Sequence, residues 1–342
     1  MHPFARPIML VALVTTYAAA GTERIPREPA HHVEGGFRNT DPAVLRASAA
    51  ARFKFMLGRA LASERSIDVP REANDGAALR ANGADPTVTW IGHATVLVQL
   101  QGTNLLTDPH WGARASPVSW AGPKRLQPPG LAFESLPPIH VVLISHDHYD
   151  HLDLGTVRRL AASHDPVFVV PLGLKAWFEE QGISRVVELD WWGVMEHRGL
   201  RIVCTPAQHF SQRSLWDADA RLWASWAVVG SDRRFYFSGD TGYFDGLREI
   251  GERLGPFNLT ALAIGAYMPP SIMRFIHLTP EQAVHAHRDL RGETLVGIHW
   301  GTFDLAEEPL EEPAARMLAE ASRRGLPPER AWILKLGETR RW

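Results

Sequence analysis

The chain has 342 residues, 36 Lys+Arg against 38 Asp+Glu for a net charge of −2, and 45% hydrophobic residues, the proportions of a soluble globular protein with a large core. Gly and Pro make up only about 15% of it, which excludes wholesale disorder, and the near-neutral balance argues against a nucleic-acid partner, which needs clustered excess Lys/Arg. One cysteine, Cys204, excludes an intrachain disulfide and any thiolate metal site, so a transition metal here needs nitrogen and oxygen donors, and 16 His are at hand.

The apolar run Ile8–Ala20, preceded by Arg6 and followed by Gly21, has the layout of an export signal. An uncleaved anchor and an ordinary buried segment are the alternatives, and the run is short for a membrane span. The chain therefore divides into residues 1–20 as signal or anchor, 21–86 as an N-terminal extension, and 87–342 as the main domain. Thr22–His32 reads as linker, with His31 and His32 solvated rather than metal-bound. Val44–Ala62 reads as a helix with Leu45, Phe53, Met56, Leu57, Ala60 and Leu61 on one face. That face is expected to dock on the main domain, and the basic residues Arg46, Arg52, Lys54 and Arg59 leave a membrane-surface helix as the alternative. Arg65–Pro86 reads as an irregular connection.

From Thr87 strands and helices alternate. Val88–Trp90 and Thr95–Leu100 flank a turn at Gly92-His93, followed by Asn104–Thr107 and the continuous apolar strand Val141–Ser145. Further strands are expected at Val167–Val170, Arg201–Thr205, Trp223–Val229, Arg234–Ser238, Ala261–Ile264, Thr294–Ile298 and Ala331–Leu336. Helices are expected at Leu154–Ala162, Leu172–Gln181, Thr279–Arg288 and Pro313–Arg324, the third opening on a capping box. Cys204 falls in an apolar strand and reads as a small core residue. The expected fold class is α/β (α+β), built as packed layers.

The densest chemical signal is His146-Asp147-His148-Tyr149-Asp150-His151, directly after the strand Val141–Ser145. Alternate residues His146 and His148 can point one way, and Asp150-His151 can address a second point. His209, Asp240 and His299 each follow a strand in the same manner, where loops surround one crevice. Five His and two carboxylates suffice for two metal centres with a bridging carboxylate and positions left for water and substrate.

These motifs, in this order, resemble the metallo-β-lactamase superfamily. Trp90-Ile91-Gly92-His93-Ala94-Thr95, Leu106-Thr107-Asp108-Pro109, Gly122-Pro123-Lys124-Arg125, Phe237–Tyr243 and Ile298–Phe303 look like its N-acyl-phosphatidylethanolamine-hydrolysing phospholipase D branch. The resemblance implies a four-layer αββα sandwich with two Zn2+ per chain, or manganese or iron in their place. It assigns His146, His148 and His209 to one ion, Asp150, His151 and His299 to the other, and Asp240 to the bridge. Catalytic roles fall to Asp150 and His277, the latter matching a histidine near the substrate phosphate, with a helix-entry histidine as the alternative. Substrate contacts fall to Tyr149, His277 and Trp120. Asp108 is a candidate to orient a ligand imidazole, and His93 reads as structural. Where animal members have Trp-Cys-Lys, this chain has Phe210-Ser211-Gln212, so a positive charge for phosphate is lost or shifted to Arg213.

The expected function is that of a zinc phosphodiesterase acting on a phospholipid, with a membrane surface and a second copy of the chain in a homodimer as partners. Exported (periplasmic) and cytoplasmic-face membrane locations both fit. A lactonase or other carbonyl hydrolase uses the same metals and remains open. A non-catalytic lipid-binding protein does not explain the full donor set, and a nuclease conflicts with the charge balance.

Overall fold

The computed structural model of the chain describes residues 29–41, 44 and 47–342; Met1–Ala20, with its expected signal, lies outside the described residues. Among those described, no helix is long and apolar enough to cross a membrane. A hairpin of β1 (His32–Val33) and β2 (Gly36–Phe37) leads to α1 (Ala49–Leu61) and α2 (Ala77–Ala81). There follow β3 (Thr87–Gly92), β4 (Thr95–Leu100), β5 (Thr103–Thr107), β6 (Val141–Leu143), α3 (Leu154–His164), β7 (Val167–Pro171), α4 (Lys175–Glu180) and β8 (Val186–Leu189). Next come β9 (Val194–His197), β10 (Leu200–Thr205), β11 (Ser225–Val229), β12 (Arg234–Phe237), α5 (Gly246–Leu254) and β13 (Phe257–Ala263). The chain closes with α6 (Pro270–Met273), α7 (Pro280–Asp289), β14 (Gly292–Ile298), α8 (Glu312–Arg323), β15 (Ala331–Trp332) and β16 (Thr339–Arg341).

Two seven-stranded sheets result, in the orders β16-β3-β4-β5-β6-β7-β8 and β15-β14-β13-β12-β11-β10-β9. Each is antiparallel in one half and parallel in the other: β5 to β8 and β12 to β15 run parallel. The period of two along a strand separates the faces. Val96, Val98, Leu105, Val141, Leu143 and Val169 join the core between the sheets. Leu97, Leu106, Val142, Ile144, Phe168 and Val170 pack outward, in one cluster with Val157 and Leu160 of α3 and Phe178 of α4. Leu247 of α5, Val284 of α7 and Met317 of α8 pack on the other sheet. This is the expected four-layer sandwich. The sheets are also bonded directly: the Trp226 indole donates to Ile144 O (2.9 Å), and Ala224 N donates to Ser145 O (2.8 Å).

Most expected elements are present with boundaries shifted by a few residues, and the capping box stands, Thr279 and Gln282 bonding reciprocally. Three expectations need correction. First, α1 begins at Ala49, where the Ser48 side chain accepts from Ala51 N. Its supposed docking face is exposed, with Phe53 and Met56 each 66% and Leu57 47% accessible. The helix is held instead by Phe55 against a cluster of Ala266, Met273 and Ala306, and by Arg59 paired with Asp304. Second, His31 and His32 are not solvated linker residues: His31 is buried and both bond Asp190. Third, β1, β2, β8, β9, β16, α2, α5 and α6 are present in addition to the expected elements, and α2 lies within Arg65–Pro86, which therefore is not wholly irregular.

Candidate metal centre

Each expected donor sits on a loop leaving a buried strand, and the loops meet along the seam between the two sheets. His146–His151 leave β6 of one sheet, whereas His209, Asp240 and His299 follow β10, β12 and β14 of the other. Close approach of the loops is permitted by Gly239, at φ 53°, where a Cβ would lie 2.4 Å from Ser145 Cβ. His93, Asp108, Ala266 and His299 also have positive φ. Backbone in this conformation is unfavourable for side-chain-bearing residues and clusters at functional sites.

The donors form two groups. In one, His148 Nδ1 lies 2.8 Å from His146 Nε2 and 3.3 Å from His209 Nε2. In the other, His299 Nε2 lies 3.2 Å from His151 Nε2 and 3.5 Å from Asp150 Oδ2, with His151 Nε2 3.3 Å from the same oxygen. Asp240 stands between them: its Oδ2 is 3.2 Å from His151 Nε2, 3.8 Å from His209 Nε2 and 4.0 Å from His146 Nε2, and its Oδ1 is 3.1 Å from His299 Nε2. His146, His151, His209, Asp240 and His299 are buried, while His148, Tyr149 and Asp150 are partly exposed, so solvent reaches the centre from their side.

The outer nitrogens are held by the protein. His209 Nδ1 donates to Ile276 O (2.8 Å), and His151 Nδ1 donates to Asp108 Oδ2 (2.6 Å). Ser145 Oγ lies 2.8 Å from His146 Nδ1 and donates to Asp108. Asp108 therefore has the orienting position expected of it. His93, read as structural, also touches the centre: its Nε2 is 3.0 Å from Asp150 Oδ2, and its ring lies 4.0 Å from that of His299. Asn39 joins the centre without any signal in the sequence. Its amide donates to His209 O (2.9 Å) and accepts from His209 N (3.0 Å) and the Trp223 indole (3.1 Å).

Electrostatics divide the same residues. Burial, reinforced by neighbouring imidazoles, holds His146 well below the ordinary histidine range, and burial does the same to His209. Burial pushes the Asp240 and Asp150 carboxyls up, but the surrounding imidazoles, His151 first, outweigh it and hold both well below the usual carboxylate range. His299 is opposed by burial yet raised to about 9, chiefly by Asp240. His151, opposed by burial too, is raised well above the ordinary histidine range by Asp240, Asp150 and Asp108, so the buried carboxylates draw positive charge into the centre.

His277 reaches this centre too, its Nδ1 3.8 Å from Asp240 Oδ2 and buried without a hydrogen-bond partner. Burial lowers it to about 4, so its ring is neutral near pH 7. Tyr149 donates its hydroxyl to Arg213 O (2.9 Å) at the rim. Trp120 lies on a loop, 79% exposed. Arg213 does not present a free charge to a phosphate: its guanidinium donates to Asp147 O (2.6 Å) and Leu152 O (3.0 Å) and stacks over Tyr149 at 4.0 Å.

The residues fit divalent metal ions. Because His209 and His151 donate from Nδ1, their Nε2 atoms point inward, and neighbouring nitrogens within each group lie 2.8 to 3.3 Å apart, an arrangement that a shared cation satisfies. Asp240 Oδ1, buried, has no hydrogen bond of good geometry. Such a nitrogen and oxygen set suits zinc and its neighbours.

A family profile described as "Beta-lactamase superfamily domain" matches residues 103–300, more than half of the chain. A Caenorhabditis elegans protein named N-acyl-phosphatidylethanolamine-hydrolyzing phospholipase D 1 is 48% identical over 228 residues, which are 64% of this chain and 64% of that protein's length, so just under two thirds of the relative is spanned. An uncharacterised protein of Mycobacterium bovis is 40% identical over 327 residues, 92% of this chain and 87% of that one. Among solved structures, a metallo hydrolase from Ignicoccus hospitalis aligns with a TM-score of 0.57 at 22% identity, covering 76% of this chain and 99% of that one, and so shares the fold. The chain is a metal-dependent hydrolase that belongs to the metallo-β-lactamase superfamily.

Proposed function

We propose that this hydrolase holds two zinc ions and cleaves a phosphodiester of a membrane phospholipid, releasing phosphatidic acid and the head-group alcohol, an N-acylethanolamine when the lipid is N-acyl-phosphatidylethanolamine. The observation that carries the proposal is the position of Asp240, within reach of both donor groups. His146, His148 and His209 would hold one ion, Asp150, His151 and His299 the other, and Asp240 both. When bound, the ions supply Lewis acidity toward a phosphoryl oxygen and bring the pKa of water toward neutrality.

The protein's own groups do the rest. Asp150, steadied by His93, accepts a hydrogen bond from the attacking water and aligns it on phosphorus. Neutral His277 offers its unpartnered nitrogen to a phosphate or leaving-group oxygen. With Arg213 committed to the loop carbonyls, recognition of the phosphate falls to the ions and His277. The exposed Phe53, Met56 and Leu57 of α1 support contact with a membrane surface, where the substrate's acyl chains lie.

Metal analysis of zinc-loaded protein, with assays on N-acyl-phosphatidylethanolamine and on lactones, tests this reading. Two ions per chain and phosphatidic acid as product are expected. One ion or none refutes the dinuclear site, and turnover of lactones alone refutes the phosphodiesterase.

A further inference from the structure

A second group of metal-competent side chains lies outside the seam. The turn closed by His32 N donating to Pro29 O (2.9 Å) brings two consecutive histidines onto one carboxylate. His31 Nε2 is 2.6 Å from Asp190 Oδ1, and His32 Nε2 is 2.9 Å from Asp190 Oδ2. The three donor atoms fall within 4.8 Å of one another. Neighbouring residues rarely aim their rings at one point, and here aromatic walls enforce it: His31 stacks on Trp191 at 4.2 Å, and His32 meets Phe37 edge-on at 5.2 Å. The hairpin register, His32 opposite Phe37 and Val33 opposite Gly36, fixes that wall. Asp190 follows β8, and its Oδ1 also accepts from Trp191 N (2.7 Å).

We propose that His31, His32 and Asp190 form a separate divalent-metal site that clasps the strap of residues 29–41 to the body of the protein. Two imidazoles and one carboxylate make a nitrogen and oxygen set for zinc and its first-row neighbours. The His31 side chain is only 9% exposed and packed on Trp191, whereas His32 and Asp190 are each 28% exposed, which leaves water able to complete the coordination. None of these residues belongs to the dinuclear centre.

The clasp bears on that centre through the strap. At the end of the hairpin, Phe37 N donates to Asp219 O (2.9 Å), and beyond it Asn39 grips the backbone of His209 on both sides. An ion at the clasp fastens the strap that positions His209.

Zinc-loaded full-length protein, freed of loosely held zinc by desalting, should take up one further equivalent of Zn2+ in a calorimetric titration. That equivalent should be lost in His31→Gln/His32→Gln and in Asp190→Asn. In the unmodified protein, added zinc should also suppress carbethoxylation of His32 by diethyl pyrocarbonate, a measurement that holds even where a variant fails to fold. Absence of the further equivalent, its survival in a folded double variant, or unchanged labelling of His32 overturns the proposal. Failure of the dinuclear reading would appear separately, as too few ions before the titration begins.

Discussion

Asp108 Oδ2 lies 2.6 Å from His151 Nδ1, and the same fully buried carboxylate takes both the backbone N–H and the hydroxyl of Ser145. One side chain thus fixes the tautomer of an imidazole and the backbone from which His146 departs. Asp108→Ala should lower metal affinity or activity by about 10–100-fold, the usual effect of removing a partner of a ligand imidazole. Competition against a chromophoric chelator reads the affinity, and unchanged affinity would show that Asp108 serves the fold alone.

Asp240→Asn should leave the sandwich intact and reduce turnover by roughly a hundredfold or more, since a neutral amide forfeits several kcal/mol of charge stabilisation between two cations. The Gly239 turn that carries the residue does not depend on its carboxylate. Circular dichroism and elemental analysis alongside kinetics check this, and near-normal turnover with full metal occupancy would remove the bridging role.

Asn39→Ala should destabilise the protein by about 1–3 kcal/mol, because it strips the amide that satisfies His209 N and His209 O. Looser metal retention should accompany the lower urea midpoint. Loss of stability without any change in metal release would limit Asn39 to holding the strap.

His287 gives stability a specific pH dependence. Its ring is buried on α7, Nδ1 sharing a hydrogen bond with Thr260 Oγ1 (2.8 Å), and burial lowers it to about 4. Between pH 6.5 and 4 the unfolded chain takes up a proton that the folded chain refuses, so the protein loses about 3 kcal/mol as pH falls through that window. Urea unfolding of chelator-treated protein at about pH 7 and about pH 4 should reveal the loss, and His287→Gln should flatten it.

Replacing Phe53, Met56 and Leu57 together by Ser should weaken vesicle binding by about 3 kcal/mol, taking roughly 1 kcal/mol for each partly inserted side chain. Arg59 is a poorer target because it is engaged with Asp304. Co-sedimentation with phospholipid vesicles reads the effect, and unaltered binding would leave the exposed face unconnected with membranes.

Donors placed directly after apolar strands are legible because burial of the strand and exposure of its end leave a periodic trace in the sequence. His146 to His151, His209, Asp240 and His299 are all of this kind. Residues acting across the fold leave no such trace: Asn39 meets His209 and His93 meets Asp150 only once the sheets have packed. The edge strands β9 and β16 are four and three residues long with none buried, so no alternation of buried and exposed positions marks them. In α5, Gly251 reads as a helix breaker, yet a Cβ there would lie 2.0 Å from Asp289 O, so tight packing against α7 requires it. The apolar stripe of α1 misleads for the opposite reason, since periodicity identifies a greasy face without saying what covers it.

The seam between the sheets has a thermodynamic consequence. Each donor group draws on both sheets, His146 and His148 against His209, and Asp150 and His151 against His299. A half-assembled sandwich therefore offers only part of either set, and an ion that discriminates in this way favours the complete one by about 1.4 kcal/mol for every tenfold rise above its dissociation constant. The persistence of the folded chain is thereby tied to the metal supply of its surroundings, and scarcity would be felt as turnover of the protein before it is felt as slow chemistry.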